Sequence, residues 1–297
     1  MINFPISGVE TYWWLPVVVA FVISFFTSMG GVSGAFLLLP FQVSILGFAG
    51  PAVSPTNLVY NIVAIPGGVY RFIREQRMVW PLTWIIIIGT LPGIFLGAVI
   101  RIKFLPDPIS FKFFAGLVLV YIGTRLLLNI FDKSKSDSNI SMNNFSVTEA
   151  YFNFKHTGFR FNETEYRTSS TGILFLSFIV GIIGGTYGIG GGAIIAPFLV
   201  AVCGLPVFAV AGPALTATFV CSIAGVVFYT LIAPYFADTG LVITPDWLLG
   251  FMFGLGGLAG IYAGARLQKY IPARLIKIIL VVCILFVAGK YIVGFFW

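Results

Sequence analysis

The chain has 297 residues, of which 59% are hydrophobic and only 9% are charged, and its mean hydropathy is +1.02. Soluble domains carry about 25% charged residues, so this composition excludes a soluble globular protein and predicts an all-α polytopic membrane protein. The formal net charge of +7 is therefore not taken as a sign of nucleic-acid binding. The positions of the basic residues along the chain should instead indicate its orientation in the membrane.

The first half of the chain contains five predicted membrane segments. The stretch before them, 1–12, has no lysine or arginine, so it lacks the basic start of a signal peptide and the first apolar segment should be retained. The segments are 12–29, 34–47, 52–72, 82–100 and 109–130. A transmembrane helix needs about 20 residues, so the short second segment predicts a half-helix or a re-entrant piece. It follows the cluster Gly30-Gly31-Val32-Ser33-Gly34.

A long polar stretch at 131–170 separates the two halves. Residues 133–144 are rich in Ser, Asn and Lys and are typical of a flexible linker, and the aromatic-rich part after them could form a short hairpin. We interpret the stretch as a connector, with a cytoplasmic gate or partner site as the alternative. The chain is thus divided into a first transmembrane repeat at 1–130, this linker, and a second transmembrane repeat at 171–297.

The second half contains five further apolar segments. They are 172–187, 191–203, 208–233, 247–265 and 274–296. The second of these is again short and follows a glycine-rich run, 184–192. The complete pattern predicts eight long spans and two short half-helices.

The two halves align with each other, which indicates a duplication. Gly34-Ala35 aligns with Gly191-Gly192, and Pro40-Phe41 aligns with Pro197-Phe198. A ladder of glycines at four-residue spacing also occurs at the same place in both halves. Its members are Gly89, Gly93 and Gly97 in the first half and Gly256, Gly260 and Gly264 in the second. Such a ladder allows another helix to approach closely.

The distribution of basic residues predicts that the two repeats are inverted. If all ten segments cross, each half has an odd number of crossings, and 12 of the 17 basic residues fall on one side. They are Arg71, Arg74, Arg77, Lys133, Lys135, Lys155, Arg160, Arg167, Arg266, Lys269, Arg274 and Lys277. If the short segments failed to cross, the repeats would run parallel and the charges would divide almost evenly. The positive-inside rule therefore predicts an inner-membrane protein with both termini outside and 131–170 in the cytoplasm.

The residues needed for catalysis or for proton coupling are missing from the predicted spans. The chain has one histidine, His156, in the polar linker, so it offers neither a histidine-based metal cluster nor a Ser-His-Asp triad. No carboxylate lies in the middle of a span, whereas proton-coupled carriers usually keep a titratable group there. The sequence predicts neither an enzyme nor a protein with a cofactor or a metal.

The polar groups that remain at the expected midplane suit an anion. Glycine clusters can break helices and expose backbone N–H groups at the positive end of the following half-helix. Hydroxyl and amide side chains in the third segment of each half could add donors. The candidate binding residues are Ser33, Gly34, Ala35, Thr56, Asn57, Asn61, Gly190, Gly191, Gly192 and Thr216. Alternatively, the glycines serve packing and the hydroxyls bond to their own backbone.

Several of these motifs together resemble the sulfite exporter TauE/SafE family. They are the glycine clusters, the Pro-Phe pairs, Ala52-Val53 with Ala209-Val210, and the tryptophans Trp80 and Trp247 that precede the ladders. The resemblance covers 20–130 and 172–296. It implies transport of sulfur-containing anions such as sulfite, thiosulfate or organosulfonates.

The combined prediction is an exporter of a small sulfur-containing anion, held at the half-helix N-termini between two inverted repeats. Its partners would be that anion and the lipid bilayer. An anion channel and a non-transporting membrane assembly subunit are the alternatives. Saturable flux stimulated by countertransport would separate a carrier from a channel.

Overall fold

A computed structural model describes residues 1–29, 33–76, 78–131, 147–153, 156–161, 164–201, 203–267, 270 and 273–296. Gly30, Gly31 and Val32 of the first glycine cluster and the linker predicted at 133–144 lie outside the described residues. The described chain is mostly helical and carries two small antiparallel sheets.

The helices follow the predicted segments in both halves. The first half forms α1 (Trp14–Met29), α2 (Ala35–Ser44), α3 (Val53–Ala64), α4 (Pro66–Arg74), α5 (Trp80–Lys103) and α6 (Pro108–Phe131). The second half forms α7 (Ser170–Tyr187), α8 (Gly192–Ala201), α9 (Val207–Ile232) with a 3-10 turn (Ala233–Thr239), α10 (Trp247–Leu267) and α11 (Ala273–Phe296). The short helices α2 and α8 each have 10 residues and follow the two glycine clusters.

Five short strands accompany the helices. A hairpin pairs β1 (Ile2–Phe4) with β2 (Val9–Thr11), and a three-stranded sheet in the polar linker contains β3 (Val147–Phe152), β4 (His156–Phe161) and β5 (Thr164–Ser169) in sequence order. Strand β5 leads directly into α7, where the Ser169 hydroxyl accepts a hydrogen bond from the Gly172 N–H and caps the helix. The sheet therefore lies at the N-terminal end of α7.

Within the described residues, six helices are long and apolar enough to cross a membrane, namely α5, α6, α7, α9, α10 and α11. The prediction of eight long spans is not confirmed. Helix α1 has 16 residues, and the third segment is divided into α3, with 12 residues, and α4. Proline accounts for the division, because Pro66 has no N–H to donate to the Ile62 carbonyl and its ring crowds the preceding turn.

Each glycine ladder packs against the first helix of the other half. In α5, Gly89 faces Leu174 and Ser177, Gly93 faces Phe178 and Ile182, and Gly97 faces Ile182 and Thr186 of α7. In α10, Gly256 faces Val17, Gly260 faces Phe21, and Gly264 faces Phe25 of α1. Residue numbers rise together along each pair, so the two helices of a pair run parallel. The prediction that the ladders let another helix approach closely is confirmed.

Two pairs of corresponding segments pack against each other in antiparallel directions. Where α6 packs on α11, Gly116 faces Ile292 and Gly123 faces Leu285, so the two helices are antiparallel. The third segments behave in the same way, because Leu58 lies against Gly225 whereas Phe72 lies against Gly212. The third segment of the first half, which comprises α3 and α4, is therefore antiparallel to α9.

The loops gather at two opposite ends of the helix bundle. At one end, which we call the hairpin end, the Ser7 N–H and hydroxyl donate to Asp246 Oδ2 at 3.1 and 2.9 Å, joining the β1–β2 hairpin to the start of α10. The loop between α5 and α6 lies at this end. The opposite end, which we call the sheet end, carries the β3–β5 sheet, the end of α4 and the end of α10.

Basic residues separate between these two ends. Arg71, Arg74, Arg160, Arg167 and Arg266 lie at the sheet end, in or next to its loops. The hairpin end carries Arg101, Lys103 and Lys112 on the neighbouring turns of α5 and α6. Of the twelve basic residues that the sequence groups on one side, Arg77, Lys133, Lys135, Lys155 and Lys269 lie outside the described residues.

Candidate functional site

Helix α2 turns back before the chain has crossed the bundle. Its start is buried in the interior, where Gly34 lies beside the Tyr60 and Ser24 side chains, whose hydroxyl oxygens are 2.8 Å apart. Its end lies at the hairpin end, where the Ser44 and Tyr291 hydroxyl oxygens are 2.8 Å apart. Helix α2 therefore presents its N-terminus, with its positive dipole end, to the interior of the protein.

The second glycine cluster reaches the same region from the other half. Helix α7 ends at Gly188, which has a φ of 86° and donates its N–H to the Gly184 carbonyl at 2.8 Å. Only glycine suits this position, because its conformation is left-handed and an added Cβ would lie 2.6 Å from the Ser54 Cα. This tight turn delivers residues 188–192 to the side of α3.

Asn57 of α3 joins the two glycine clusters. Its Nδ2 atom donates to the carbonyl oxygens of Ala35 and Gly188, both at 3.0 Å, and its Oδ1 accepts from Gln42 Nε2 at 3.2 Å. The side chain is fully buried. One amide thus ties together the start of α2, the end of α7 and the middle of α3, and both of its N–H groups are used in doing so.

One helical turn further along α3, Asn61 makes a similar contact but keeps unused hydrogen-bonding capacity. Its Nδ2 donates to the Ile189 carbonyl at 3.1 Å, which leaves one N–H and the Oδ1 atom. Among the described residues, the amide oxygens Asn61 Oδ1 and Gln42 Oε1, which are acceptors, and the Ser222 hydroxyl are buried without a hydrogen-bond partner. Ser222 faces Gly190 on the opposite side of the turn. Buried polar atoms are usually paired, so these atoms mark where a polar ligand could bind, with the Ser222 hydroxyl and the second Asn61 N–H as the available donors.

The remaining predicted site residues divide between this cluster and other places. Ser33 accepts the Ala35 N–H at 3.3 Å at the start of α2, and Gly191 and Gly192 lie against Thr90 and Thr218 at the start of α8. They belong to the cluster.

Thr56 and Thr216 face away from the cluster. Thr56 Oγ1 donates to Ala52 O at 2.7 Å and accepts the Asp246 N–H at 2.8 Å, towards the hairpin end. Thr216 Oγ1 donates to Gly212 O at 3.0 Å and approaches Met78 Sδ at 3.7 Å, towards the sheet end. The structure does not bring these two hydroxyls together with the amides.

Sequence reasoning missed two residues that hold the cluster. Gln42, the partner of Asn57, is the single amide within α2. Tyr187, the last residue of α7, donates its hydroxyl hydrogen to the Phe36 carbonyl at 2.9 Å and so links the two short-helix regions a second time. Gln42 could have been found as a polar side chain in an apolar half-helix, whereas the pairing of Tyr187 with α2 has no local signal.

The cluster is polar and carries no formal charge. Its side chains are amides and hydroxyls, and the N-termini of α2 and α8 add partial positive charge. Within the described part of the chain, no group of three or more His, Cys, Asp or Glu could hold a metal ion. A groove of about 470 Å³ between α3 and α10 is lined by apolar side chains and contains none of these residues.

A comparison with protein-family models identifies the family of the chain. A family model described as Sulfite exporter TauE/SafE matches residues 16–291. A comparison with curated proteins gives no match, and neither does a comparison with solved structures. Since the family match covers almost all of the 297 residues, the resemblance seen in the sequence is confirmed, and the chain belongs to the sulfite exporter TauE/SafE family of membrane transporters.

Proposed function

We propose that the protein exports a small sulfur-containing anion such as sulfite, thiosulfate or an organosulfonate. The anion is held near the middle of the bundle, between the starts of α2 and α8. The observation that carries this proposal is the buried, uncharged cluster in which Asn57 joins both glycine turns. A desolvated anion needs several hydrogen-bond donors, and the backbone N–H groups in the first turns of two short helices supply them without a permanent buried charge.

The proposed site requires a small rearrangement to accept its ligand. Both N–H groups of Asn57 are bound to carbonyls, so donors for the anion come from Asn61, Ser222 and the backbone at the glycine turns. The nearest neighbours of Gly34 and Gly191 are side-chain atoms, those of Tyr60 and Thr90. These neighbours can rotate away and open space for an oxyanion.

We propose further that the two halves are inverted repeats, with the sheet end in the cytoplasm and both termini outside. The antiparallel directions of α6 with α11 and of the α3–α4 segment with α9 support the inversion. The basic residues at the sheet end support the orientation through the positive-inside rule. In this orientation an inside-negative potential drives the anion outward by ~2.3 kcal/mol per charge per 100 mV, so export needs no coupling carboxylate.

Alanine substitutions at Gly34 and Gly191 test the site. An added Cβ at Gly34 would lie 2.5 Å from Tyr60 Oη, and one at Gly191 would lie 2.7 Å from Thr90 Cγ2. Since both obstacles are side-chain atoms, we expect the variants to fold and to lose most of their anion flux. The measurement is saturable flux of sulfite, thiosulfate, a sulfonate and chloride in proteoliposomes, with folding followed by thermal melting.

The matched control is Gly294→Ala in α11, where an added Cβ meets nothing within 4 Å. It should retain wild-type flux. Wild-type flux in both the Gly34 and the Gly191 variants would show that the anion does not bind at the starts of α2 and α8. Flux that neither saturates nor responds to anion on the opposite side would identify a channel.

Accessibility of single cysteines tests the orientation. In a background without Cys203, Cys221 and Cys283, a cysteine at exposed Asn3 or Asp238 should react with a membrane-impermeant maleimide in intact cells. A cysteine at exposed Arg160 or Tyr270 should react only after permeabilisation. Labelling of positions 238 and 270 from the same side would contradict the inverted arrangement.

A further inference from the structure

Arg101 is the most unusual charged residue in the described part of the chain. It lies in the last turn of α5 at the hairpin end, and it is the largest of the fully buried side chains, with 0% of its surface exposed. Among the described residues no carboxylate forms an ion pair with it. Arginine stays charged at any physiological pH, so a permanent positive charge is buried here without a counter-ion.

The guanidinium is held by backbone carbonyls and by one aromatic ring. Its Nη2 atom donates to Ala49 O at 3.1 Å and to Gly50 O at 2.9 Å, and Nη1 donates to Leu105 O. Its Cζ atom lies 3.8 Å from the centre of the Phe111 ring. The buried Nε–H has no hydrogen-bond partner.

These contacts explain the position of Arg101 but not its charge. A neutral amide could tie the 49–50 turn to the end of α5 through the same carbonyls. Carbonyl dipoles and a ring quadrupole compensate a full charge only partly. The positive field that remains, together with the free Nε–H, suits an anion with two or more oxygen atoms.

Polar contacts connect Arg101 with the central cluster. The Thr186 hydroxyl of α7 donates to the Gly97 carbonyl, one helical turn before Arg101, at 3.1 Å, and the Ser54 hydroxyl donates to the Thr186 carbonyl at 3.0 Å. The backbone of Ser54 packs directly against Gly188, the turn that Asn57 holds. Arg101 therefore lies at the hairpin end of a line of polar groups that begins at the proposed site.

We propose that Arg101 is a second anion-binding station, which receives the transported oxyanion between the central cluster and the hairpin-end surface. This inference rests on the proposed function, since it concerns the same anion. On arrival the anion replaces the Ala49 and Gly50 carbonyls and takes bonds from Nη2 and Nε. The displaced carbonyls return when the anion leaves, so binding at this station is reversible and weaker than at an unoccupied arginine.

The test compares Arg101→Gln, Arg101→Lys and the control Lys103→Gln, which removes an exposed charge from the same turn. In proteoliposomes we expect Arg101→Gln to raise the apparent KM for sulfite about tenfold or more, as expected for loss of a charge-assisted hydrogen bond. Arg101→Lys should give a smaller rise in KM with little change in kcat, because it keeps the charge and loses the planar pair of donors. Lys103→Gln should leave the KM unchanged.

Thermal melting in detergent supplies a second readout. Sulfite should raise the Tm of the wild type and of Lys103→Gln, and raise that of Arg101→Gln much less. An unchanged KM and an unchanged sulfite-induced shift in either Arg101 variant would overturn the proposal, and if Arg101→Gln does not fold, Arg101→Lys decides alone. If the wild type itself shows no flux, the proposed function fails, and the Tm comparison still decides whether Arg101 binds the anion.

Discussion

Replacing Gly93 with alanine should lower both the folded yield and the Tm of the protein sharply. An added Cβ would lie 2.8 Å from the Ile182 nitrogen and 2.9 Å from the Gly181 Cα. Both atoms belong to the backbone of α7, which cannot rotate away as a side chain can, so α5 and α7 must separate. Overpacking of this kind costs about 1–3 kcal/mol of unfolding free energy, and the separation removes further contacts along the pair.

The same change at Gly260 should have a comparable effect, because its Cβ would meet the Phe21 carbonyl and the Ser24 Cβ of α1. Leucine at either position should be worse than alanine. Expression of folded protein, monodispersity in detergent and Tm are the measurements.

Two glycines in α11 provide matched controls. An added Cβ at Gly289 or Gly294 meets nothing within 4 Å, so alanine there should be neutral or should stabilise the helix by up to about 1 kcal/mol. Equal melting temperatures for Gly93→Ala, Gly260→Ala and these controls would contradict the close packing of α5 on α7 and of α10 on α1.

Asn57→Leu should produce the second large effect. The substitution leaves the Ala35 carbonyl, the Gly188 carbonyl and the Gln42 amide without their partner in a buried region. Each unsatisfied group costs about 1–3 kcal/mol, so the total loss of stability is on the order of 3 kcal/mol or more. Flux should fall as well, because the starts of α2 and α8 are no longer held in register.

A double-mutant cycle with Gln42→Leu isolates the amide pair. The double variant should be less destabilised than the sum of the two single variants, with a coupling of about 0.5–1.5 kcal/mol. Thr230→Val is the control, because the Thr230 hydroxyl bonds only to the Val226 carbonyl of its own helix. Additive effects at positions 42 and 57, together with a small effect of Asn57→Leu, would show that Asn57 does not hold the clusters.

Local sequence patterns predicted much of the fold and only part of the candidate site. Glycines at fixed spacing leave one side of a helix without side chains, and such a helix can pack closely against any partner. The sequence alone therefore predicts that the ladders are packing surfaces. The partner itself was not visible, because apolar side chains do not specify which distant helix they contact. The sequence places Asn57 among the candidate anion donors, and it cannot show that both N–H groups bond to carbonyls, because those carbonyls lie in other segments.

Each glycine ladder packs on the first helix of the other half, and this arrangement affects how the protein assembles while it is being synthesised. Translation delivers α1 to the bilayer when its packing partner, α10, has not yet been synthesised. Helix α1 has 16 residues, fewer than the roughly 20 that a spanning helix needs, and its face toward the α10 ladder stays uncovered until α10 has been made. Helix α5 likewise waits for α7, which follows α6 and the polar linker in the chain. The first half therefore cannot complete its packing before residue 267 has been synthesised.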